Sequence, residues 1–155
     1  MELYDEVAIN ASPKQVYAAL NDLDVLKRCI PGCGGLQRLS DTELEAMVVL
    51  KIGPIKARFS GIVKLDQSGA PESFSLSGHG NGGMAGHVRG GAQVTLVADG
   101  VDRTILRYGA RAEVGGKLAQ LGNRLVQSTA RTLSAKFFET FAVVAGGNAV
   151  QAIKR

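Results

Sequence analysis

A change in hydrophobic period near residue 115 does most to limit what this chain can fold into. Between residues 43 and 114, apolar residues recur at every second position, in segments separated by Gly, Pro, Asn and Asp. Between residues 117 and 144 they recur at every third or fourth position. A period of two is typical of strands with one buried face, and a period near 3.6 is typical of an amphipathic helix. We therefore predict an antiparallel sheet followed by one long helix.

Short turns join the strands that this alternation predicts. Gly-Pro, Gly-Ala-Pro, Asn-Gly-Gly and Asp-Gly sequences lie between the segments, and all of them favour turns. One-sided alternation with short connections indicates that one face of the sheet is solvated. The predicted strands span residues 43–52, 55–67, 72–80, 86–99 and 102–114.

The N-terminal part of the chain predicts one more strand and two short helices. Residues 2–10 alternate and predict a first strand. A short helix is predicted over residues 14–20, because Ser12 is a favourable N-cap and Pro13 suits the first helical position. A second short helix is predicted over residues 22–30, where apolar residues recur at helical spacing.

The final predicted helix covers the apolar face of the predicted sheet. It is predicted over residues 117–144, about 28 residues or ~42 Å long. It is the large apolar element left to cover the apolar face of six or seven twisted strands. We predict an α+β domain over residues 1–147, in which a curved antiparallel sheet wraps on the helix and tends to enclose a pocket. Residues 148–155 are predicted to be a flexible tail.

Composition narrows the classes of function. A length of 155 residues fits one domain, and the 5% aromatic content with 20 glycines suits a loosely filled interior and hence a cavity. The net charge is +4, but the basic residues are scattered and form no stripe with aromatics, so a nucleic-acid partner is not expected. Neither a basic leader nor an apolar run of membrane-spanning length is present, which favours a cytoplasmic protein with reduced thiols.

The two cysteines are close in sequence but do not match a known site. Cys29 and Cys33 bracket a Pro-Gly pair and follow a predicted helix, whereas a redox pair has two intervening residues and opens a helix. A zinc site needs four ligands and would require both cysteines and both histidines. Pro31 and Gly32 fit the centre of a type II turn. We predict a plain loop, with a regulatory disulfide as the alternative, and we predict neither a metal nor a cofactor.

Residues 78–83, GHGNGG, match a dinucleotide-binding motif in letters only. That motif needs a helix after it, and here an alternating segment follows. Asn81-Gly82 therefore predicts a hairpin turn, and the glycines around it allow strong bending of the sheet or close backbone approach. His79 and His87 flank the turn and are predicted to be exposed. No nucleophile or carboxylate accompanies them, so no catalytic residue is predicted.

The inward positions are nearly all apolar, and Thr104 and Tyr108 are the polar exceptions. The Tyr108 hydroxyl would either reach solvent or backbone, or donate a hydrogen bond inside a pocket. If a pocket forms, inward-facing residues of the strands and the helix would contact its ligand. These candidate ligand-binding residues are Val48, Leu50, Phe59, Val63, Phe74, Leu76, Val94, Leu106, Tyr108, Leu125 and Phe137.

Four segments, in this order, carry a resemblance to a known family. They are IPGC at residues 30–33, KIGPIKARFSG at 51–61, the glycine-rich hairpin at 78–86 and GGKLAQLG at 115–122. They resemble the family of the carbon monoxide dehydrogenase G subunit, within the START-like, helix-grip (SRPBCC) superfamily. The resemblance covers residues 1 to about 145.

The resemblance implies an accessory protein with a helix-grip fold. Members are associated with molybdenum-containing CO dehydrogenases or related hydroxylases. They are proposed to recruit the enzyme to the inner face of the cell membrane and to hold a lipid- or quinone-like ligand in the pocket. Two alternatives stay open: a docking module whose interior is only core, and a START-like enzyme such as a cyclase or hydrolase. The apolar inward faces favour the binding module over the enzyme.

Overall fold

A computed structural model describes residues 1–146 and the backbone of residues 152–153. An antiparallel sheet and three α-helices form one α+β domain, as the hydrophobic pattern predicted. The helices are α1 (Pro13–Leu20), α2 (Leu23–Cys29) and α3 (Asn123–Gly146). The strands are β1 (Glu2–Ile9), β2 (Cys33–Ser40), β3 (Glu43–Ile52), β4 (Ile55–Asp66), β5 (Ser73–Asn81), β6 (His87–Ala98) and β7 (Thr104–Gly115).

The seven strands lie in the order β2-β3-β4-β5-β6-β7-β1, and each neighbouring pair is antiparallel. A two-residue strand, β8 (Ala152–Ile153), pairs antiparallel with β1 at Glu6 and Val7. The rest of the predicted tail, residues 148–151 and 154–155, lies outside the described residues, so its flexibility stays a prediction. Short hairpins between strands that are sequential in the chain place the apolar residues of β3 to β7 on one face.

Strand β2 is the strand that the hydrophobic pattern did not predict. Its pairing with β3 shifts register between Cys33 and Gly35, so successive residues do not keep alternating between the two faces. Gly34 and Gly35 also supply no side chain from which a period could be read. The strand is held by its pairing to β3 rather than by a regular apolar face.

The last helix is shorter than the predicted 117–144. A 3₁₀ helix over Gly116–Leu121 comes first, and α3 begins only at Asn123 and contains 24 residues. The break is at Gly122, whose φ of 89° lies in the left-handed region and outside the helical range. The hydrophobic spacing predicted one continuous helix across Gly122, because Leu118 and Leu121 of the 3₁₀ segment also lie at helical spacing. None of the described helices combines the length and hydropathy needed to cross a bilayer.

Helix α1 begins as predicted, at a capping box. The Ser12 hydroxyl accepts the Gln15 backbone N–H at 3.2 Å, and the Gln15 side chain accepts the Ser12 N–H at 3.0 Å. Pro13 takes the first helical position. The capping box fixes where α1 begins. The helix then lies on the inner face of the sheet, where Val16 is fully buried.

Two separate cores form on the inner face. The upper core lies under α1, α2 and the C-terminal half of α3, and the lower core lies beside the 3₁₀ helix that precedes α3. The upper core contains Val7, Ile9, Ala11, Val16, Cys29, Val94, Leu96, Leu106, Phe141 and Ala142. The lower core contains Ile52, Phe59 and Leu118.

Helix α3 spans the distance between the two cores and runs alongside β1. The Gln127 amide nitrogen donates to the Glu2 carbonyl oxygen at 2.9 Å near the start of both elements. At the far end, Gly146 lies against the backbone of Asn10. The axis of α3 is therefore parallel to β1, and the inner face of the curved sheet is turned toward the helix.

Candidate functional site

The inner face between the two cores carries side chains too short to reach α3. Along the strands, Gly61 is paired with Ala46 and Gly80, and Gly90 is paired with Gly78 and Ala112. All of these residues are only half-buried, although they face the helix side of the sheet. We call this set the central belt; it consists of Ala46, Gly61, Gly78, Gly80, Gly90, Ala92, Ala110 and Ala112.

Two glycines of the central belt lie where neighbouring strands come very close. A Cβ on Gly61 would lie 2.0 Å from the carbonyl oxygen of His79, and one on Gly90 would lie 2.2 Å from that of Arg111. Such distances leave no room for a side chain, so glycine allows the close approach. The sequence predicted either strong bending of the sheet or close backbone approach to something bound, whereas the close approach at these two glycines is between neighbouring strands.

A large cavity occupies the space between the central belt and α3. The concave volume is about 2070 Å³, which includes an open groove that continues past Gly91 and Gly109 onto the outer face. A pocket for a small molecule typically measures about 300–1,000 Å³, so the concave space as a whole is large enough for a ligand of that size. Its inner lining includes Leu3, Leu76, Gly90, Ala92 and Ala112 from the sheet, and Ser134, Ala135 and Phe138 from α3.

Three polar side chains meet in this cavity. Tyr108 on β7 is the direct cross-strand partner of Asp5 on β1, and Ser134 approaches from α3. The Tyr108 ring stacks on Phe138, with ring centroids 5.0 Å apart and an interplanar angle of 24°. Burial raises the pKa of Tyr108, the Ser134 hydrogen bond lowers it and the Asp5 charge raises it, with a net shift upward. The phenol therefore stays protonated at physiological pH.

Thr104, the other polar residue predicted on the inner face, has a structural contact. It is fully buried, and its hydroxyl donates to the Ala11 carbonyl oxygen at 2.7 Å. This bond ties β7 to the loop between β1 and α1. Tyr108 is thus the member of the predicted pair that lines the cavity.

The candidate ligand-binding residues all belong to the predicted inner faces of the sheet and the helix. They do not cluster at one place but are spread along the whole inner face. Leu76 and Tyr108 line the cavity, whereas Phe59, Val94 and Leu106 are buried in the two cores. Ligand contact by the whole set stays a prediction. The remaining, half-buried members are Val48, Leu50, Val63, Phe74, Leu125 and Phe137.

The cysteine segment forms the predicted turn. The Cys33 N–H donates to the Ile30 carbonyl oxygen at 3.2 Å, and Gly32 between them has a φ of 72°, as a type II turn requires. Both thiols are free, and burial raises the pKa of the Cys29 thiol. Cys29 lies in the upper core, on the opposite face of the sheet from both histidines, so the four residues do not converge on one site.

The glycine-rich segment is a hairpin, as predicted. It forms the end of β5 and a connection over residues 82–86, and β6 follows it rather than a helix. His79 pairs with Arg89, and His87 pairs with Asn81, so the histidines are offset along the exposed outer face. They border a shallow concavity of about 450 Å³.

The end of the molecule that contains this hairpin is strongly basic. The β3–β4 turn, the 82–86 connection and the start of α3 meet there around the lower core. At its tip, Met84 is 84% exposed. Lys51 and Lys56 lie opposite each other across the β3–β4 pair, although like charges in that position repel. We call the following exposed set the basic end: Lys51, Lys56, Arg58, Met84, Lys117 and Arg124.

Comparison with known proteins assigns a family. The model of the CoxG family, the G subunit of carbon monoxide dehydrogenase, matches residues 6–146. The chain belongs to the CoxG family. The match confirms the resemblance carried by the four sequence segments. No curated protein matches this CoxG family member significantly in sequence.

Solved structures confirm the fold of this CoxG family member. A conserved protein from Geobacillus kaustophilus is 25% identical, with a TM-score of 0.88 over 96% of this chain and 97% of that one. A START superfamily protein from Mycobacterium smegmatis is 16% identical, with a TM-score of 0.61 over 87% and 92%. Norcoclaurine synthase from Thalictrum flavum is 13% identical, with a TM-score of 0.59 over 93% and 92%. The last two similarities concern the START-like fold alone.

Proposed function

We propose that this protein is a non-catalytic accessory protein with a ligand-binding cavity. It assists a molybdenum hydroxylase of the CO dehydrogenase type, recruits it to a membrane surface and binds a lipid- or quinone-like molecule. The observation that carries the binding function is the cavity beside α3, whose lining includes the small belt residues Gly90, Ala92 and Ala112. Membership of the CoxG family supports the partner.

The lining of the cavity supports binding rather than catalysis. Among its described residues there is no histidine, cysteine or lysine. The Tyr108 phenol stays protonated at neutral pH, because burial raises its pKa above the ordinary value, so no phenolate is available as a general base. Apolar and small side chains provide contact area, and a few polar groups provide orientation, which is the usual composition of a binding pocket.

The binding function predicts that an apolar quinone stabilises the fold. At about 100 times its dissociation constant, decylubiquinone should add roughly 2.7 kcal/mol to the free energy of unfolding. For a chain of this size that is a rise in Tm of roughly 5–11 °C. Thermal melts with and without the quinone measure it, and native mass spectrometry of protein from its host identifies any lipid already bound. No shift with the quinone and no copurified lipid would leave the docking module as the better interpretation.

The basic end supports the membrane part of the proposal. It combines five exposed cationic side chains with the exposed Met84, and the Glu113 carboxylate on β7 is already 3.7 Å from Arg89. Cationic side chains near an anionic lipid surface contribute about 1 kcal/mol each. An exposed methionine between them can enter the headgroup region.

This arrangement predicts charge-dependent binding to vesicles. Replacing Lys51, Lys56 and Arg58 by Gln should weaken binding to phosphatidylcholine vesicles with about 30% phosphatidylglycerol by at least about tenfold. Cosedimentation measures the effect, and salt at about 0.5 M should abolish binding of the natural chain.

A matched variant controls for net charge. Lys14, Lys27 and Lys136 are exposed on the three helices, away from the basic end, and their replacement by Gln removes the same charge. Binding should stay near that of the natural chain. Equal losses in the two triple variants, or equal binding to pure phosphatidylcholine, would contradict membrane contact through the basic end.

A further inference from the structure

We infer that Asp5, Tyr108 and Ser134 form a polar subsite in the cavity for an uncharged hydrogen-bonding group. The ligand class is an otherwise apolar molecule with a carbonyl or hydroxyl at one end. This inference rests on the proposed binding function and adds to it the chemistry that the cavity selects.

The three residues come from three different elements and are held in place. Asp5 and Tyr108 are paired across β1 and β7 on the inner face. Ser134 projects from α3 one turn before Phe138, and the stacking of Phe138 on the Tyr108 ring fixes the direction of the phenol. On the inner side of the cavity these polar groups therefore lie beside small and apolar residues, which include Leu3, Ala92 and Ala112.

The phenol offers a hydrogen-bond donor to a ligand. A protonated Tyr has one O–H to donate, and the Tyr108–Ser134 pair, which shares one hydrogen bond, retains one O–H for a ligand. Because burial and the Asp5 charge both raise the pKa of Tyr108, this donor persists throughout the physiological range. A carbonyl or hydroxyl oxygen supplies the matching acceptor.

The charges around the subsite disfavour an anionic ligand. Asp5 is the charged group that shifts the Tyr108 phenol. On the α3 side of the lining, Arg131 and Glu139 are exposed and opposite in sign. Asp5 therefore leaves a net negative charge next to the polar groups, and a carboxylate or phosphate placed there would be repelled.

The apolar wall gives the ligand an orientation. Leu3 and Leu76 line the cavity together with the belt residues Ala92 and Ala112. A chain or ring system would lie along this wall, while the polar end reaches Tyr108. Pockets that combine one polar spot with broad apolar contact orient amphiphilic ligands in this way.

The test compares two probes of equal chain length, dodecan-2-one and dodecanoate. Each displaces the neutral dye N-phenyl-1-naphthylamine from the full-length protein, and dye fluorescence reports the affinity. The natural chain should bind the ketone at least about tenfold more tightly than the carboxylate, the size of one hydrogen bond to a polar partner. Tyr108→Phe keeps the ring and should weaken ketone binding about five- to tenfold, with dye affinity unchanged.

Two further variants test the other members of the subsite. Asp5→Asn should strengthen dodecanoate binding at least about fivefold and leave the ketone unaffected. Ser134→Ala should weaken ketone binding without changing the dye. Tyr17→Phe, on α1 and not among the described lining residues of the cavity, is the matched control and should change neither probe. Thermal melts identify any variant that fails to fold, and the remaining variants then carry the test.

The outcomes separate this inference from the function on which it rests. If the dye binds but Tyr108→Phe and Asp5→Asn leave both probes unchanged, the polar subsite is wrong and the apolar cavity stands. The same conclusion follows if the carboxylate binds as tightly as the ketone. If neither the dye nor either probe binds the natural chain, the proposed binding function fails, and this inference fails with it.

Discussion

An Ala92→Phe variant should bind decylubiquinone at least about a hundredfold more weakly than the natural chain, a loss of roughly 2.7 kcal/mol. Ala92 lies in the middle of the central belt, between Leu76 and Ala110 on the neighbouring strands. Its side chain points into the cavity and is only half-buried, so a benzyl group would fill the space that the ligand needs. Stability should be unchanged or higher, because the new ring buries apolar surface in a space that is already open.

A substitution on the same strand separates cavity filling from a general effect of the added ring. Val97 is on β6 as well, but it is partly exposed on the outer face, so Val97→Phe adds a ring outside the cavity. It should bind the quinone like the natural chain. Isothermal titration with both variants measures the difference, and thermal melts confirm that both are folded. Unchanged affinity in Ala92→Phe would place the ligand elsewhere and remove the cavity as the binding site.

The hydrophobic period predicted the inner faces of β3 to β7 because each of these strands has one buried face. In β4, for example, Phe59 and Val63 face inward while Arg58 and Lys64 face solvent, and the alternation shows this without any knowledge of the partners. The period failed where local backbone geometry overrides it. Gly122 interrupts the helical spacing before α3 begins.

The polar part of the site could not be predicted, because it depends on register. Alternation places Asp5 on the same face of β1 as Leu3 and Val7, but only the register of β1 against β7 makes Tyr108 its neighbour. Ser134 lies between apolar residues of a long helix, and its meeting with Tyr108 depends on how α3 crosses the sheet. Tyr108 itself stood out, since a Tyr among inward-facing apolar residues is visible in the sequence.

The same limit applies to the central belt. Its members are ordinary one by one, since Gly and Ala are common in this chain. Pairing across five strands places them side by side, and three of them, Gly90, Ala92 and Ala112, line the cavity. A cavity of this kind is therefore a property of strand register, and it becomes visible once the sheet is assembled.

Replacing Gly90 by Ala should lower the free energy of unfolding by about 2–3 kcal/mol, the range found for overpacked interiors. Ala is ordinarily better than Gly in a strand, by about 0.5–1 kcal/mol, so the expected sign is reversed. The reason is that the new Cβ would lie 2.2 Å from the Arg111 carbonyl oxygen and 3.0 Å from the Ala112 Cα. Both are backbone atoms, so the strands would have to separate.

Gly35→Ala is the matched control for this change. Gly35 also lies in a strand, but a Cβ there would meet nothing within 4 Å, and the residue does not have a positive φ. Urea unfolding should therefore find Gly35→Ala equal to the natural chain or slightly more stable, while Gly90→Ala shows the loss and a Tm lower by roughly 4–12 °C. Equal stability of the two variants would mean that glycine is not needed for the close approach of β6 and β7. If the loss is found, the close approach of β6 and β7 beside the cavity depends on the absence of a side chain at Gly90.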